Sequence, residues 1–418
     1  MPQTSTKTRL AFGLLAYAFA AIMVGTTLPT PMYALYADHM HFAVLTTTVI
    51  YATYAGAVLF ALLAFGRWSD AIGRRPVLLA GVVFALASAA VFLVADTVPM
   101  LLVARVLSGL SAGVFTGTAT AAVIEAAPEN WRTRAAAVAT VANIGGLGMG
   151  PLLAGLLVEY APAPLHLSFI VHIVLALLAG IAILVVPETS QRTGRIGVQR
   201  LSVPVEVRAV FVIASLAAFA GFAVTGLFAA VAPSFLSEVV GIDNHAVAGL
   251  IASSIFAASA VAQVAAGKMN SHRAVAIGCA ILVVGMVILA VALDLSSLVG
   301  IIAAAVVAGI GQGISFSRGL AAVAERAPAD RRAEISSSYF VIAYVAISLP
   351  VVGVGLAGQR WGLQTAGETF AVAVAILSAI CLVAILVEEA RESRREIAAA
   401  TTGSGWRTAR TARAGRLR

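Results

Sequence analysis

A short polar stretch between two long apolar segments carries a regular pattern of glycines and charges. Gly66, Asp70 and Gly73 are spaced four and three residues apart, and Arg74 and Arg75 follow directly. Glycines permit a tight reversal of the backbone. An aspartate in such a turn can cap a helix N-terminus or pair with a base. The stretch therefore predicts a tight, charged loop between two helices.

Arg105 stands within a segment that is otherwise uncharged. Gly109, Gly113 and Gly117 follow it at intervals of four residues, so they share one helix face and form a groove. An arginine in hydrocarbon costs at least about 2.5–3.5 kcal/mol, so it needs a wet cavity or a partner. The alternative is an arginine that snorkels to the membrane surface.

A third pattern combines glycines with a proline inside an apolar segment. Gly146, Gly150, Pro151 and Gly155 lie within one uncharged run. Proline removes a backbone hydrogen bond and bends a helix, while glycines allow a neighbouring helix to come close. The pattern predicts a kinked, closely packed helix, and a purely packing role stays open as the alternative.

The composition shows what kind of elements must position these residues. Of 418 residues, 61% are hydrophobic and only 11% are charged, whereas soluble domains carry about 25% charged residues. This excludes a soluble enzyme, a disordered scaffold and a disulfide-stapled secreted module. Cys279 and Cys381 lie in apolar runs and imply no disulfide framework.

Cutting the chain at its charges leaves twelve long apolar segments. Each is 20 residues or longer, enough for a helix to cross a bilayer core. Two of them contain one charge each, Arg105 and Glu368. The predicted segments are Leu10–Ala37, His39–Gly66, Pro76–Ala95, Thr97–Ile124, Ala135–Val158, Tyr160–Pro187, Ala209–Ser237, Asn244–Gly267, Ala274–Leu293, Leu295–Ser317, Ile335–Gln359 and Trp361–Val387.

The basic residues predict the orientation. If the twelve segments span, 25 of the 27 lysines and arginines lie on one side, the exceptions being Arg105 and Arg360. By the positive-inside rule that side is cytoplasmic, so we expect a multi-pass protein of the cell membrane with both termini in the cytoplasm. Leu10–Ala37 is too long for the apolar region of a signal peptide, so we expect it to be retained.

The chain also repeats itself. The twelve residues from Ala121 to Arg132 match those from Ala321 to Arg332 at seven positions, an offset of 200 residues. We therefore expect an all-α membrane fold of two pseudo-symmetric six-helix bundles, residues 1–187 and 209–387. A cytoplasmic linker, residues 188–208, joins them. Residues 388–418 form a basic cytoplasmic tail that we expect to be partly disordered and to touch anionic lipid.

The loop that begins at Gly66 carries a family resemblance. It resembles the signature loop of the major facilitator superfamily, glycine-x-x-x-aspartate-x-x-glycine-arginine-arginine/lysine, and all five fixed positions are met. The resemblance implies a conformational lock on the cytoplasmic side, formed here by Gly66, Asp70, Gly73, Arg74, Arg75 and Glu125.

In that family the aspartate contacts the start of helix eleven and a charge at the end of helix four. The resemblance assigns these roles to Asp70 and Arg74, with Glu125 or Glu129 as the helix-four charge. The corresponding loop of the second half, residues 267–273, lacks the acid. We therefore expect the charge latch to be asymmetric.

The other two patterns fit the same family. The run that starts at Arg105 resembles its arginine motif in helix four, which is linked to proton transfer or substrate contact. The run Gly146–Gly155 resembles its antiporter motif, with Ala154 in place of one glycine. The resemblance is to twelve-helix drug:proton antiporters. It implies a secondary active exporter of small amphipathic drugs or metabolites that exchanges them for protons by alternating access.

The proton-carrying residue does not follow from this resemblance. Drug:proton antiporters often place an acid in helix one, yet Leu10–Ala37 has none. We expect Arg105, Asn143, Gln263 and Gln312 to line the proton or substrate pathway, since the family lines its cavity with helices five, eight and ten. An arginine without an interior acid favours neutral or anionic substrates over cations.

Several other functions lack their sequence signals. The chain has no phosphate-binding loop and no histidine spacing for a metal, and it carries no hydrolase motif. We therefore expect no enzyme activity, cofactor, metal, ATP or nucleic acid, and a monomer that acts on a small molecule. An uptake carrier for a nutrient or sugar is the first alternative, and a non-transporting membrane sensor or interaction protein is the second.

Overall fold

The computed structural model describes residues 2–328 and 331–414, and their regular structure is entirely helical. Twelve helical stretches are long and apolar enough to cross a membrane. We number them α1 Lys7–Met40, α2 Val44–Phe65, α3 Arg74–Leu93, α4 Val98–Glu125, α5 Arg134–Tyr160, α6 Leu167–Val185, α7 Val205–Val240, α8 His245–Lys268, α9 Ser271–Asp294, α10 Leu298–Arg326, α11 Arg332–Trp361 and α12 Leu363–Arg391.

Each of the twelve predicted segments overlaps one of these helices, so the prediction of twelve spans is confirmed. The tail differs from expectation. The helix that contains α12 continues without a break from Leu363 to Ala414, so its backbone is helical where we expected partial disorder. Residues 415–418 of the tail lie outside the described residues.

The helices pack in the same pattern in each half of the chain. α1 packs against α4, α5 and α6, and α7 packs correspondingly against α10, α11 and α12. The two halves meet mainly where α2 packs against α11 and α5 packs against α8. We call the face with the arginine-rich loops, including those after α2 and α6, the basic face, and the opposite one the acidic face.

Glycines 200 residues apart occupy corresponding positions. Gly109 lies against the backbone of α2, and Gly309 lies against that of α8. Gly155 approaches α8 across the junction between the halves, while Gly355 approaches α2 across the other such junction. In each case an added Cβ would overlap the neighbouring helix, so the repeated glycines set the helix-to-helix distances.

Three helices are irregular near the middle or the end of their span. In α1 the first helix ends at Thr27, and a 3₁₀ turn, Thr30–Met32, and a short helix, Tyr33–Met40, follow. α5 contains a π-helical segment, Val141–Gly145, and α7 ends in another, Phe235–Val240. Such segments often mark functional sites in helices.

Candidate functional site

Polar side chains join the loop between α2 and α3 to the end of α4 on the basic face. The Arg74 guanidinium lies 2.6 Å from Asp70 Oδ1 and 2.9 Å from Glu125 Oε1. It also donates to Ser69 Oγ at 2.7 Å, and the Thr189 hydroxyl donates to Glu125 Oε2 at 2.8 Å. Of the two acids considered from the sequence, Glu125 is the one that contacts Arg74.

The start of α3 is held by a residue that sequence reasoning missed. Gly73 has a φ of 112°, which a residue with a side chain rarely adopts, and a Cβ there would overlap the Glu188 carboxylate. Glu188 accepts hydrogen bonds from the backbone N–H groups of Arg74 at 2.8 Å and Arg75 at 3.1 Å. Partial burial raises the pKa of Glu188, but its backbone hydrogen bonds outweigh burial and hold that pKa below its ordinary value. A carboxylate from the linker thus caps the N-terminus of α3.

The linker also lies between the 2–3 loop and α11. Gly194 N–H donates to the Asp70 carbonyl at 3.0 Å, and Gln199 N–H donates to a carbonyl near the end of α2 at 2.8 Å. Ser202 N–H donates to Ser338 Oγ of α11 at 3.1 Å. No hydrogen bond or ion pair joins the Asp70 side chain to α11 among the described residues. The contact implied between the aspartate and helix eleven is therefore replaced by one through the linker.

The second half carries a looser version of the same cluster. Glu325, the repeat partner of Glu125, accepts a hydrogen bond from Ser271 Oγ at 2.8 Å and lies 3.7 Å from Arg318. Arg318 also donates to Ser271. Here the arginine comes from α10, and the loop contributes the Ser271 hydroxyl and the Gly267 carbonyl but no acid, which fits the asymmetry that we expected.

Arg105 is enclosed within the first bundle. The side chain is fully buried, and one Nη donates to the Thr26 carbonyl of α1 at 2.7 Å. The rings of Tyr33, Tyr51 and Tyr54 surround its guanidinium, with centroids at 5.7, 5.7 and 4.8 Å. Its Nε and its other Nη have no hydrogen-bond partner among the described residues. The guanidinium faces the bundle interior, so the snorkelling alternative does not describe it.

The break in α1 explains why the Thr26 carbonyl is available. The helix ends at Thr27, two residues before Pro29, and the last carbonyls of a helix lack partners within it. A cation at a helix C-terminus also interacts favourably with the helix dipole. Arg105 therefore stabilises the end of the first α1 helix.

The proline of α5 creates a second contact with this part of α1. Because Pro151 has no N–H, the Leu147 carbonyl loses its partner within α5. The Thr27 hydroxyl donates to that carbonyl at 2.6 Å. A side chain of α1 thus satisfies the backbone group that the kink in α5 releases.

The glycines of the same motif place α5 between two other helices. A Cβ on Gly146 would lie 2.7 Å from the Met23 Cβ of α1, and Gly150 is also packed against α1. A Cβ on Gly155 would lie 3.2 Å from the Gly249 Cα of α8. The motif therefore touches its own bundle on one side and the other bundle on the opposite side.

Two of the three predicted amide side chains meet through a serine. Gln312 is buried and accepts a hydrogen bond from Ser259 Oγ at 2.6 Å, and Gln263 donates to the same oxygen at 3.1 Å. Asn143 is half-buried in the π segment of α5 and makes no hydrogen bond among the described residues. The sequence did not single out Ser259, since serines are frequent in this chain and only the fold brings this one between two glutamines.

A cavity of about 710 Å³ opens at the acidic face between the two halves. Its lining includes residues from α1, α2, α7, α8, α11 and the start of α12. Asp38, Glu238 and Asp243 lie at this mouth, and Tyr33, which also contacts Arg105, lies on its wall. The acids of the helix ends thus line the mouth of the cavity, while Arg105 lies behind Tyr33.

A family comparison agrees with this architecture. The model of the Major Facilitator Superfamily matches residues 10–351, most of the chain. The chain belongs to the major facilitator superfamily. Members of this superfamily are multi-pass membrane transporters, which agrees with the twelve helices that are long enough to span a membrane.

Curated relatives and a solved structure are similar to parts of this transporter. The putative multidrug resistance protein MdtD of Klebsiella pneumoniae is 28% identical over 189 residues, and that of Escherichia coli is 27% identical over 189 residues. These matches cover 44% of the chain and only 38% of each relative. The crystal structure of a bacterial homologue of the human lysosomal transporter Spinster, inward-facing and unoccupied, aligns with a TM-score of 0.72 at 15% identity. The alignment covers 91% of this chain and 97% of the Spinster homologue, which shows that the two folds are alike.

Proposed function

We propose that the protein exports small amphipathic drugs or metabolites in exchange for protons by alternating access, and that it works as a monomer. In the proposed arrangement both termini lie in the cytoplasm, so the basic face is the cytoplasmic one and the acidic face is the outer one. The cavity at the acidic face then opens to the outside, while the linker and the loop between α2 and α3 cover the cytoplasmic side.

The α5 motif is the observation that carries the proposal of export. Its glycines and proline resemble the antiporter motif, and Gly155 lies where one bundle meets the other. The kink at Pro151 is held by Thr27 of α1, so a shift of α5 against α8 also moves the end of the first α1 helix. The similarity to two putative multidrug resistance proteins supports the same direction.

The cytoplasmic lock is proposed to consist of Asp70, Arg74 and Glu125, with Glu188 and Ser338 as additional members. Exposed ion pairs contribute only about 0–1 kcal/mol each, which suits contacts that must break once in every transport cycle. Gly66 and Gly73 bound the loop, and Gly73 permits the backbone turn before α3.

The substrate is proposed to bind between Arg105 and the Gln263–Ser259–Gln312 group, one polar site in each bundle. Among the side chains that the structure describes, Arg105 is the one buried charge, and its free N–H groups donate rather than accept. Neutral substrates with oxygen acceptors, or anionic ones, fit these donors better than cations do.

Inverted membrane vesicles that hold a pH gradient test the proposal. Chloramphenicol, fluorescein and ethidium represent neutral, anionic and permanently cationic amphiphiles. We expect chloramphenicol or fluorescein to dissipate the gradient only in vesicles that contain the protein. The Arg360→Lys variant, altered at an exposed outer position, serves as the matched active control.

Two outcomes would contradict the proposal. If none of the compounds dissipates the gradient and intact cells accumulate a sugar, the protein is an uptake carrier. If no solute moves at all in a broad panel, and Asp70→Ala behaves as the unaltered protein in every assay, a sensor or interaction protein is favoured. Strong, selective export of ethidium would overturn only the assignment of substrate charge.

A further inference from the structure

His172 is a buried imidazole in the first bundle that the transport motifs do not include. It lies in α6, is 5% exposed, and its Nε2 has no hydrogen-bond partner among the described residues. The ring lies against Gly25 of α1, where a Cβ would overlap it. Histidine is the side chain whose charge changes most readily near neutral pH, and an ionisable group inside a membrane bundle marks a functional site by default.

His172 and Arg105 contact adjacent residues in the same turn of α1. The His172 ring touches Gly25, the Arg105 guanidinium binds the Thr26 carbonyl, and Thr27 holds α5 through its hydroxyl. These three consecutive residues end the first α1 helix. A change at any one of these contacts therefore acts on the break in α1.

Few charged or titratable groups face the imidazole from the elements packed around it. α1 contributes Tyr17, whose hydroxyl donates to the Leu175 carbonyl of α6, and beyond its break the buried Tyr33 and Tyr36. Its other charged or titratable residues, Lys7, Arg9, Asp38 and His39, lie towards its two ends. α3 has only Arg74 and Arg75, at its cytoplasmic end, and α5 has Glu159 and Tyr160 at its outer end and Arg134 at its cytoplasmic end. The buried charge in the described residues is Arg105, which bonds the carbonyl of Thr26, the residue after Gly25.

The neutral imidazole therefore fits this arrangement, because no acid in the described part of the bundle balances a charged one. A proton on His172 adds a second cation at the helix end that Arg105 already stabilises. Since like charges at one site disfavour each other, that proton weakens the hold of Arg105 on the Thr26 carbonyl.

We propose that His172 is the proton-binding residue of the first bundle, and that its proton displaces Arg105 from the end of the first α1 helix. The proton binds at Nε2, and no covalent bond other than N–H forms or breaks. A proton on His172 and the bond from Arg105 to the Thr26 carbonyl are then alternatives, so proton binding changes the donors that Arg105 offers to a substrate oxygen. This inference rests on the proposed function, because it names the proton site of that exchange.

The first test compares His172→Gln with His166→Gln in liposomes. Glutamine cannot be protonated, and His166 is an exposed histidine just before the same helix. Chloramphenicol or fluorescein, whichever dissipated the gradient more strongly, is the probe. We expect His172→Gln to lose gradient-driven transport by about tenfold or more while it retains exchange of labelled for unlabelled probe, and His166→Gln to keep both.

Two results would overturn the inference. One is gradient-driven transport by His172→Gln with the pH profile of the unaltered protein. The other is loss of both gradient-driven transport and exchange in a folded His172→Gln, because the residue then has a structural role. If the unaltered protein moves the probe without moving protons, the proposed exchange itself fails, which separates the two claims.

A second measurement keeps His172 in place. Replacing the other five histidines with glutamine leaves one imidazole for nuclear magnetic resonance of the isotope-labelled ring. We expect its protonation midpoint to rise when Arg105→Gln removes the competing cation. A ring that does not titrate in either protein over the pH range in which the protein stays folded, or a midpoint that Arg105→Gln leaves unchanged, would refute the proposal.

Discussion

At the scale of single residues, the molecule concentrates unusual chemistry at the end of one helix. Arg105 is withdrawn from water, yet two of its nitrogens have no partner among the described residues. The tyrosine faces around it and the α1 terminus balance part of its charge. A buried guanidinium that still has unpaired N–H groups is suited to bind a hydrogen-bond acceptor reversibly.

Replacing Arg105 with lysine should separate charge from geometry. Lysine keeps the positive charge, but it is a point charge and lacks the planar fork of donors. We expect Arg105→Lys to lower transport in inverted vesicles by about tenfold or more, with a similar amount of folded protein. Arg360→Lys is the control, and wild-type transport by Arg105→Lys would mean that charge alone suffices at this position.

Thr27→Val should show how much the hydrogen bond from Thr27 to the kinked part of α5 contributes to stability. The substitution removes the hydroxyl that bonds the Leu147 carbonyl and leaves that buried acceptor without a partner, at a cost of about 1–3 kcal/mol. We expect a lower unfolding temperature in detergent. Thr53→Val is the control, because the Thr53 hydroxyl bonds only to its own helix. Equal unfolding temperatures for the two variants would argue against the role given to Thr27.

Sequence reasoning could identify Arg105 as enclosed, because its segment is too apolar for a solvated arginine. It could not identify the Thr26 carbonyl as the partner, since any backbone carbonyl near a helix end has the same chemistry. Glu188 was missed for a related reason. An acid just after a helix usually lies in solvent, and only the path of the linker brings it to the start of α3.

At the scale of elements, the glycine contacts between α5 and α8 decide how closely the bundles meet. Gly155 and Gly249 leave room for the two backbones to approach, whereas Gly117 of α4 has open space around its Cα. Length and hydropathy were sufficient to find the helices themselves. The break in α1 was not predicted, because a proline near a helix end does not reveal whether the segment continues beyond it.

Gly155→Ala and Gly117→Ala form a matched pair. A methyl group at Gly155 overlaps α8, and such overpacking costs about 1–3 kcal/mol. At Gly117 the methyl group meets nothing within 4 Å, so the higher helix propensity of alanine should leave stability equal or improved. We expect only Gly155→Ala to lower the unfolding temperature and transport. The opposite ranking would contradict the packing described for α5.

At the scale of the whole molecule, the two halves contact each other through two pairs of helices and also through the linker. α2 against α11 and α5 against α8 form the main junctions, and the bond from Ser202 to Ser338 adds a contact at the basic face. The repeat of 200 residues predicted two similar bundles. The course of the linker had no periodic signal, so its pairing with the 2–3 loop could be learned only from the structure.

Cysteines at Ser202 and Ser338 should hold the cytoplasmic side closed. With Cys279 and Cys381 replaced by alanine, we expect a short thiol-reactive cross-linker to abolish transport in the Ser202→Cys, Ser338→Cys double variant. Cleavage of a reducible cross-linker should restore it. Each single variant treated in the same way is the control. Full transport in the cross-linked double variant would show that the cytoplasmic contact does not need to open.

The capping of α3 by Glu188 has a consequence for dividing the gene. A break in the chain before Glu188 would place its carboxylate on the second polypeptide, away from the α3 N-terminus that it caps. A break after Val203 keeps Glu188 on the same polypeptide as α3. Two coexpressed fragments, 1–203 and 204–418, should therefore reassemble in the membrane far better than fragments 1–187 and 188–418. In this sense the first part of the linker, with Glu188, Gly194 and Gln199, contacts the N-terminal half, whereas Ser202 contacts α11.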